Sequence, residues 1–145
     1  MYLLQELTGT VAVFADNGKG KLWQLQSISS LPASYKGPAG SADIHVSPDG
    51  KFLYASNRGN SNTIAIFSID KETGLLAIVG HQPTLGETPR NFNFDPSGKF
   101  LLVANQNTNN ITVLKRDIET GLLTYSNNMI EVDKPVCLKW IEADK

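Results

Sequence analysis

Cysteine is nearly absent from this sequence of 145 residues, which contains only Cys137. A single cysteine cannot form an internal disulfide, so nothing in the chain indicates an oxidising compartment. An excess of charge is missing as well, because thirteen Lys and Arg residues face fourteen Asp and Glu residues, for a formal net charge of -1. This balance argues against a nucleic-acid-binding surface and against a polybasic membrane patch.

Long hydrophobic runs are also lacking, since no segment approaches the roughly 18 apolar residues of a membrane-spanning helix. The apolar N-terminal segment, Met1 to Phe14, contains Glu6 and has neither a basic leader nor a small-residue cleavage site. We therefore expect a strand there, with no signal peptide, no membrane partner and a cytoplasmic location.

Familiar catalytic motifs are absent too. The chain has no GxSxG nucleophile elbow, no HExxH zinc motif, no Cys/His metal cluster and no Gly-rich phosphate loop. Helical periodicity is almost absent, and no helix cap precedes an apolar stripe. The pattern that remains favours an all-β fold.

What the sequence does contain is an internal repeat. The segment PDGKFL at Pro48 matches PSGKFL at Pro96, and ETGLL occurs at both Glu72 and Glu119. The two copies therefore lie about 48 residues apart. Tyr2 to Phe14 forms an earlier, partial copy that lacks the opening strand, and a fourth copy starts near the C-terminus.

Each copy divides into four strand-like segments separated by turn sequences, which in the clearest copy are 90–94, 100–105, 110–116 and 122–129. In the DPSG turn, proline presets φ and the glycine is expected at positive φ. Four antiparallel strands in about 40–50 residues is the period of a β-propeller blade. We predict about three four-stranded blades in one partial domain, at approximately 1–40, 41–87 and 88–133, with a further strand starting at 134–140. A solenoid of β-hairpins is the alternative architecture.

Three repeats are fewer than the four to eight blades of a typical propeller. The chain is therefore either a piece of a larger propeller, which we favour, or a ring completed by association. An open arc exposes sheet edges and faces, so self-association through the blade edges is an expected interaction.

One strand end carries chemically active side chains in successive repeats. Alignment of the copies places Glu6, Arg58 and Gln106 at one position, and blades arranged radially bring equivalent positions around one ring. A turn has no need of a guanidinium, so we predict a shared site there, flanked by Asn57. On the preceding strand, His45 and Arg90 are further candidates.

Each candidate also has a structural reading. A strand-end side chain is often simply solvated, His45 lies near Asp43, which could bond its ring, and Arg90 could cap carbonyl groups. If the site exists, two arginines would bind an anionic phosphate or carboxylate. Glu6 could then act as a general base on water or orient the substrate.

The motifs SADIHVSPDGKFLYASNR, IAIFSIDKETGLL, GETPRNFNFDPSGKFLLVANQNTNNITVL and KPVCLKW resemble those of the lactonase family of seven-bladed β-propellers. That family includes bacterial 6-phosphogluconolactonases and the fungal carboxy-muconate lactonizing enzyme. The resemblance implies hydrolysis of 6-phosphogluconolactone to 6-phosphogluconate in the pentose phosphate pathway, without a metal or organic cofactor. The expected partner is thus a small sugar-phosphate lactone.

The resemblance assigns Glu6 and Arg58 to catalysis and Arg90 to substrate binding. Together with the alignment, it gives a candidate substrate-binding set of Arg90, His45, Gln106 and Asn57. The family's catalytic histidine and another arginine belong to blades upstream of Glu6, so the chain is similar to the C-terminal three-sevenths of such a propeller. A non-catalytic protein-binding module and an inactive truncated product are the alternative hypotheses.

Overall fold

The computed structural model describes residues 1–141, which form eleven β-strands and no helix. The strands are β1 (Tyr2–Gln5), β2 (Thr10–Asp16), β3 (Leu22–Ser29), β4 (Ser41–Val46), β5 (Phe52–Asn57), β6 (Thr63–Ile69), β7 (Leu76–Pro83), β8 (Pro89–Phe94), β9 (Phe100–Asn105), β10 (Asn110–Arg116) and β11 (Leu123–Glu131). With no helix in this range, the described residues contain no helical segment that could cross a membrane.

The strands form three antiparallel meanders, called here the first, second and third sheets. Their orders are β1-β2-β3, β4-β5-β6-β7 and β8-β9-β10-β11. Each four-stranded meander has the form of a propeller blade, which confirms the predicted fold class. The first sheet has three strands, in agreement with a first repeat that lacks its opening strand.

The turn sequences of the repeat determine where the strands end. In the third repeat the four predicted strands agree with β8 to β11 to within two residues at every boundary. The glycines of the two PxG turns, Gly50 and Gly98, have φ of 71° and 67°, as a turn position that needs positive φ predicts.

Residues 134–140, predicted to begin a further strand, form no strand in the structure. A strand requires a neighbouring backbone to complete its ladder, whereas Leu138 bonds here to side chains. Its N–H donates to Asn91 Oδ1 at 2.7 Å, and its carbonyl accepts from Asn93 Nδ2 at 3.1 Å. This part of the prediction is therefore corrected to an extended segment held beside β8.

Strand β5 of the second sheet is buried on both faces. Every residue of β5 is buried: Phe52 and Tyr54 belong to the hydrophobic cluster shared with the third sheet, and Leu53 and Ala55 to the cluster shared with the first. Burying each large apolar side chain stabilises the fold by about 1.5–3 kcal/mol. This packing aligns the ends of the strands on neighbouring sheets.

The inner strands are also joined by repeated side-chain contacts. The carboxylate of Asp43 on β4 accepts a hydrogen bond from the N–H of Phe92 at 3.1 Å, and Asn91 on β8 accepts one from the N–H of Leu138. Asp43 and Asn91 are equivalent positions of the repeat. The same type of hydrogen bond, from a backbone N–H to a side-chain oxygen, therefore joins each of these inner strands to the following repeat.

Candidate active cleft

A cleft of about 380 Å³ lies where β1 and β5 end and where β4 and β8 begin. It is lined by two apolar side chains, one serine and three charged side chains: Leu4, Ala42, Ser41, Glu6, Arg58 and Arg90. A larger hollow of about 570 Å³ beside β11 contains the acidic residues Glu131 and Asp133 and no basic residue. The smaller cleft is therefore the better candidate for binding an anion.

Arg58 is anchored on one side and open on the other. Its Nε donates to Gly40 O at 3.0 Å and its Nη2 donates to Glu6 Oε1, while its backbone N–H also binds Gly40 O at 2.9 Å. Within residues 1–141, Nη1 has no hydrogen-bond acceptor. The Arg58 side chain is 20% exposed and that of Glu6 is 60% exposed. The pair thus has a fixed geometry and faces solvent.

Glu6 is held by its backbone as well as by its side chain. Its carbonyl accepts a hydrogen bond from the N–H of Ser41 at 3.1 Å, which joins the end of β1 to the start of β4. Because Arg58 occupies only Oε1, the second carboxylate oxygen is available to a water molecule or a substrate hydroxyl.

Arg90 stands at an irregularity in the sheet. Pro89 pairs with Asn105 and Asn91 pairs with Ala104, so Arg90 is the extra residue of a β-bulge between two paired neighbours. Bulges redirect a side chain and are common next to active sites. The Arg90 side chain is exposed at the cleft and belongs to none of the four ion pairs found within residues 1–141.

The equivalent bulge on β4 carries alanine. Ser41 pairs with Asn57 and Ile44 pairs with Ala55. Between these two pairs β4 therefore advances by three residues and β5 by only two, which places Ala42 and Asp43 in a bulge. Ala42 also lines the cleft and is exposed. The same backbone geometry is therefore built with either alanine or arginine.

His45 lies outside the cleft lining and contacts the protein. Its Nε2 lies 3.1 Å from Asp43 Oδ2, and its ring packs edge-on against Phe92 with 4.9 Å between centroids. Burial of Asp43 opposes ionisation, but the hydrogen bonds from His45 and from the Phe92 N–H outweigh it and lower the pKa of Asp43. The structural interpretation of His45, with Asp43 bonded to its ring, agrees with this geometry.

Asn57 is fully buried and is not among the residues that line the cleft. Its Oδ1 accepts from the hydroxyls of Ser30 and Ser41, both at 2.8 Å, and its Nδ2 donates to Ser30 O at 2.7 Å. No polar atom of this side chain remains for a ligand. These contacts give Asn57 a structural role, and substrate binding by Asn57 stays a prediction.

Gln106 repeats the backbone position of Arg58 without joining the cleft. Its N–H donates to Thr88 O at 3.0 Å, as the Arg58 N–H donates to Gly40 O. The alignment thus identified the equivalent position, but the side chain is not among those lining the cleft. Of the three aligned residues, the structure brings together only Glu6 and Arg58.

A family model described as "Lactonase, 7-bladed beta-propeller" matches residues 1–140. The chain belongs to this family. It is similar to a Formosa agariphila protein named 6-phosphogluconolactonase, with 56% identity over 125 residues that make up 84% of this chain and 34% of that protein. A Bacillus subtilis protein of the same name is 36% identical over 97% of this chain and 40% of its own length.

A solved structure of a periplasmic gluconolactonase from Pseudomonas aeruginosa is also similar, with a TM-score of 0.93 and 40% identity. The match covers 97% of this chain and 39% of that protein. The chain therefore spans roughly a third to two-fifths of the length of these relatives. The predicted family is confirmed by these comparisons.

In this lactonase-family chain, the residues that sequence reasoning missed are mainly those that position others. Gly40 and Ser41 anchor Arg58 and Glu6 through backbone groups, which have no signature in a side-chain alignment. Asp43 and Asn91 could have been found, because they align in the two clearest repeats. No cluster of His, Cys, Asp and Glu suited to a metal ion occurs within the described residues.

Proposed function

We propose that this chain supplies part of the active site of a lactone hydrolase that opens a sugar-acid lactone, 6-phosphogluconolactone, to 6-phosphogluconate in the pentose phosphate pathway. The observation that carries the proposal is the cleft in which the Glu6–Arg58 pair and the unpaired Arg90 face one another. The names of the relatives, 6-phosphogluconolactonase and gluconolactonase, support the same class of reaction.

Glu6 is the general base of the proposed reaction. Its free oxygen accepts a proton from water as the water oxygen bonds to the lactone carbonyl carbon. The tetrahedral intermediate then collapses, the ring C–O bond breaks, and the proton passes to the departing alkoxide. Fixation of Glu6 by Arg58 and by the backbone of Ser41 reduces the motion needed for this transfer.

Arg58 stabilises the charge that develops on the carbonyl oxygen. Its anchored side keeps the guanidinium in place at the cleft and leaves Nη1 without a protein acceptor among residues 1–141, the arrangement expected of a preorganised oxyanion donor. Arg90 binds an anionic part of the substrate. Substrate contacts by His45 and Gln106 remain predictions, since neither lines the cleft.

The decisive experiment measures lactone hydrolysis above the uncatalysed rate for the chain and its Glu6→Gln and Arg58→Ala variants. Removing a general base reduces the rate by about 10²–10⁴-fold, and we expect Glu6→Gln to fall in this range. A matched control, Glu119→Gln, removes an exposed carboxylate near the opposite end of the sheets, where it pairs with Lys51. Equal activity of the Glu6→Gln variant and the original chain would refute the assignment.

Self-association is a second proposal, which has its own observation. The outer strands β3 and β7 expose apolar side chains, including Trp23, Leu25 and Ile78 at 45–48% exposure, and their outer edges have no backbone partner within residues 1–141. Such edges and patches favour pairing with another chain. Light scattering coupled to size exclusion tests this: a defined oligomer supports it, and a monomer at high concentration contradicts it.

We also propose a cytoplasmic location for the chain, in keeping with its single cysteine, although the Pseudomonas aeruginosa relative is described as periplasmic. Fractionation of cells with an antibody to the chain tests this, and recovery in the periplasmic fraction would overturn it.

A further inference from the structure

We propose that Arg90 determines specificity by selecting lactones that carry a phosphate or another strongly anionic substituent over neutral lactones. This inference rests on the proposed function of the cleft and gives its two arginines different roles. Arg58 stabilises charge on the reacting carbonyl oxygen, and Arg90 binds the anionic substituent.

The charges of the cleft support this division. Arg58 donates to the Glu6 carboxylate, so the two charges largely cancel for an approaching ligand. Arg90 has no ion-pair partner within residues 1–141, and it leaves the cleft with one net positive charge. A phosphate carrying close to two negative charges would be attracted much more strongly to that position than a neutral hydroxymethyl group.

The paired bulges indicate that the arginine is not needed for folding. Ala42 and Arg90 occupy equivalent bulges on the inner strands β4 and β8, and both line the cleft. Since alanine suffices at one bulge, backbone geometry does not require a guanidinium at the other. The difference between the two positions is a difference in what they present to the cleft.

The backbone of Arg90 is fixed while its side chain stays free. The next residue, Asn91, donates to Asp43 Oδ2 at 2.6 Å, and the N–H of Phe92 binds the same oxygen at 3.1 Å. Pro89 is buried on the other side. The cleft volume of about 380 Å³ lies within the range of about 300–1,000 Å³ for small-molecule sites, so a sugar-sized ligand can reach both arginines.

The test compares kcat/KM for 6-phosphogluconolactone with kcat/KM for gluconolactone in the chain and in Arg90→Ala. Loss of a charge-assisted contact corresponds to about tenfold to hundredfold in binding, so we expect the ratio of the two values to fall by that factor. The control Lys99→Ala removes an exposed positive charge from the turn at the opposite end of β8 and should leave the ratio unchanged.

A second variant distinguishes the charge from the residue's place in the fold. Ala42→Arg combined with Arg90→Ala moves the guanidinium to the equivalent bulge, and we expect it to recover part of the preference for the phosphorylated lactone. Calorimetric binding of 6-phosphogluconate, gluconate and inorganic phosphate to the same variants provides a readout that does not depend on turnover.

Each outcome has a definite meaning. A reduced ratio with tighter binding of 6-phosphogluconate than gluconate in the original chain supports the inference. An unchanged ratio, or an equal loss for both lactones, overturns it. If neither lactone is hydrolysed but Arg90→Ala selectively weakens 6-phosphogluconate binding, the proposed function fails and anion selection by Arg90 stands. Absence of both hydrolysis and selective binding overturns both.

Discussion

The junction between the first and second sheets and the junction between the second and third sheets share one backbone plan but differ in their side chains. At each junction a tyrosine hydroxyl crosses to a glycine carbonyl, Tyr2 to Gly74 at 2.8 Å in the first and Tyr54 to Gly121 at 2.6 Å in the second. These tyrosine–glycine hydrogen bonds are common to the two junctions. The polar side chains that differ between the junctions therefore show what is specific to each.

At the cleft end, the first junction has the denser polar network. Glu6 pairs with Arg58 there, and every polar atom of Asn57 is bound. The second junction has Gln106 and Asn105 at the positions of Arg58 and Asn57. Asn105 Oδ1 is buried without a hydrogen-bond partner among the described residues. The first junction is thus more completely organised around the cleft.

At the opposite end the relation is reversed. The second junction contains the buried Arg116, which donates to Tyr54 Oη at 3.2 Å, to Gly98 O at 3.1 Å and to Asp49 Oδ2 at 2.5 Å. The last residue of β6, equivalent to Arg116 at the end of β10, is Ile69. The Glu6–Arg58 pair of the first junction thus faces solvent and a ligand cleft, whereas the guanidinium of Arg116 at the second is enclosed and serves stability.

Among the variants that test this contrast, we expect Arg116→Ala to lower the free energy of unfolding most. It removes three hydrogen bonds and the contacts of the guanidinium with the rings of Phe52 and Phe94, each 5.8 Å away. Breaking a buried ion pair costs about 3–5 kcal/mol, and partial exposure of Asp49 places the expected loss near the lower value. Urea unfolding measures it, with Ile69→Ala as the matched variant at the first junction. A loss below about 1 kcal/mol would contradict an enclosed, stabilising role.

The two asparagines provide the next comparison. Asn57→Ala removes the Oδ1 atom that accepts from the Ser41 and Ser30 hydroxyls and leaves Ser30 its other acceptor, Gly9 O at 3.0 Å, whereas Asn105→Ala removes a side chain whose Oδ1 is already unbound. Because unsatisfied buried groups cost about 1–3 kcal/mol, we expect Asn57→Ala to lower the free energy of unfolding by about 1–2 kcal/mol more than Asn105→Ala. Equal losses would mean that the richer network at the first junction adds no stability.

The strands were predictable from the sequence because the turns mark them. Gly50 and Gly98 need positive φ, and the β-branched and apolar runs between turns leave little choice of register. Glu6 and Arg58 were predictable as neighbours because repeat alignment gives radial position. The alignment therefore located the cleft as well as the sheets.

The partner of each polar side chain was not predictable in the same way. Asn57 is buried among contacts that include Ser30, which follows β3 and lies 27 residues earlier in the chain. Arg116 is buried because Asp49, 67 residues earlier, accepts its charge. Such distant residues decide whether a side chain at a strand end is exposed at the cleft or buried between sheets. The repeat alignment does not show which distant residues will be in contact.

Removal of the tyrosine hydroxyls tests the shared part of the two junctions. Tyr54→Phe deletes the donor to Gly121 and also an acceptor of Arg116, inside a buried cluster. Tyr2→Phe deletes only the donor to Gly74, at a partly buried site. Since a hydrogen bond contributes about 0.5–1.5 kcal/mol, we expect a loss of about 1 kcal/mol for Tyr2→Phe and up to about twice that for Tyr54→Phe. A larger loss for Tyr2→Phe in thermal or urea unfolding would reverse the proposed order.

The smallest expected effect is the part of the pH dependence of stability that Asp49 contributes at the second junction. Burial opposes ionisation of Asp49, but hydrogen bonds from Ser47 and Arg116 outweigh it and lower the pKa of Asp49 from 3.8 to about 2. Because the folded pKa is depressed, this stabilisation is present above the unfolded pKa and is lost as pH falls from about 4 through about 2.

We compare urea unfolding of the chain and of Asp49→Asn at pH 6 and at pH 2.5. Allowing for solvent screening at a partly exposed carboxylate, Asp49→Asn should be less stable at pH 6 by about 1 kcal/mol, with a smaller difference at pH 2.5. Other carboxylates titrate in both proteins, so the difference between them isolates Asp49. A difference in stability that does not change with pH would mean that the charge of Asp49 does not stabilise the fold through Arg116. The proposed contrast between an enclosed and an open charge pair would then lose its support at the second junction.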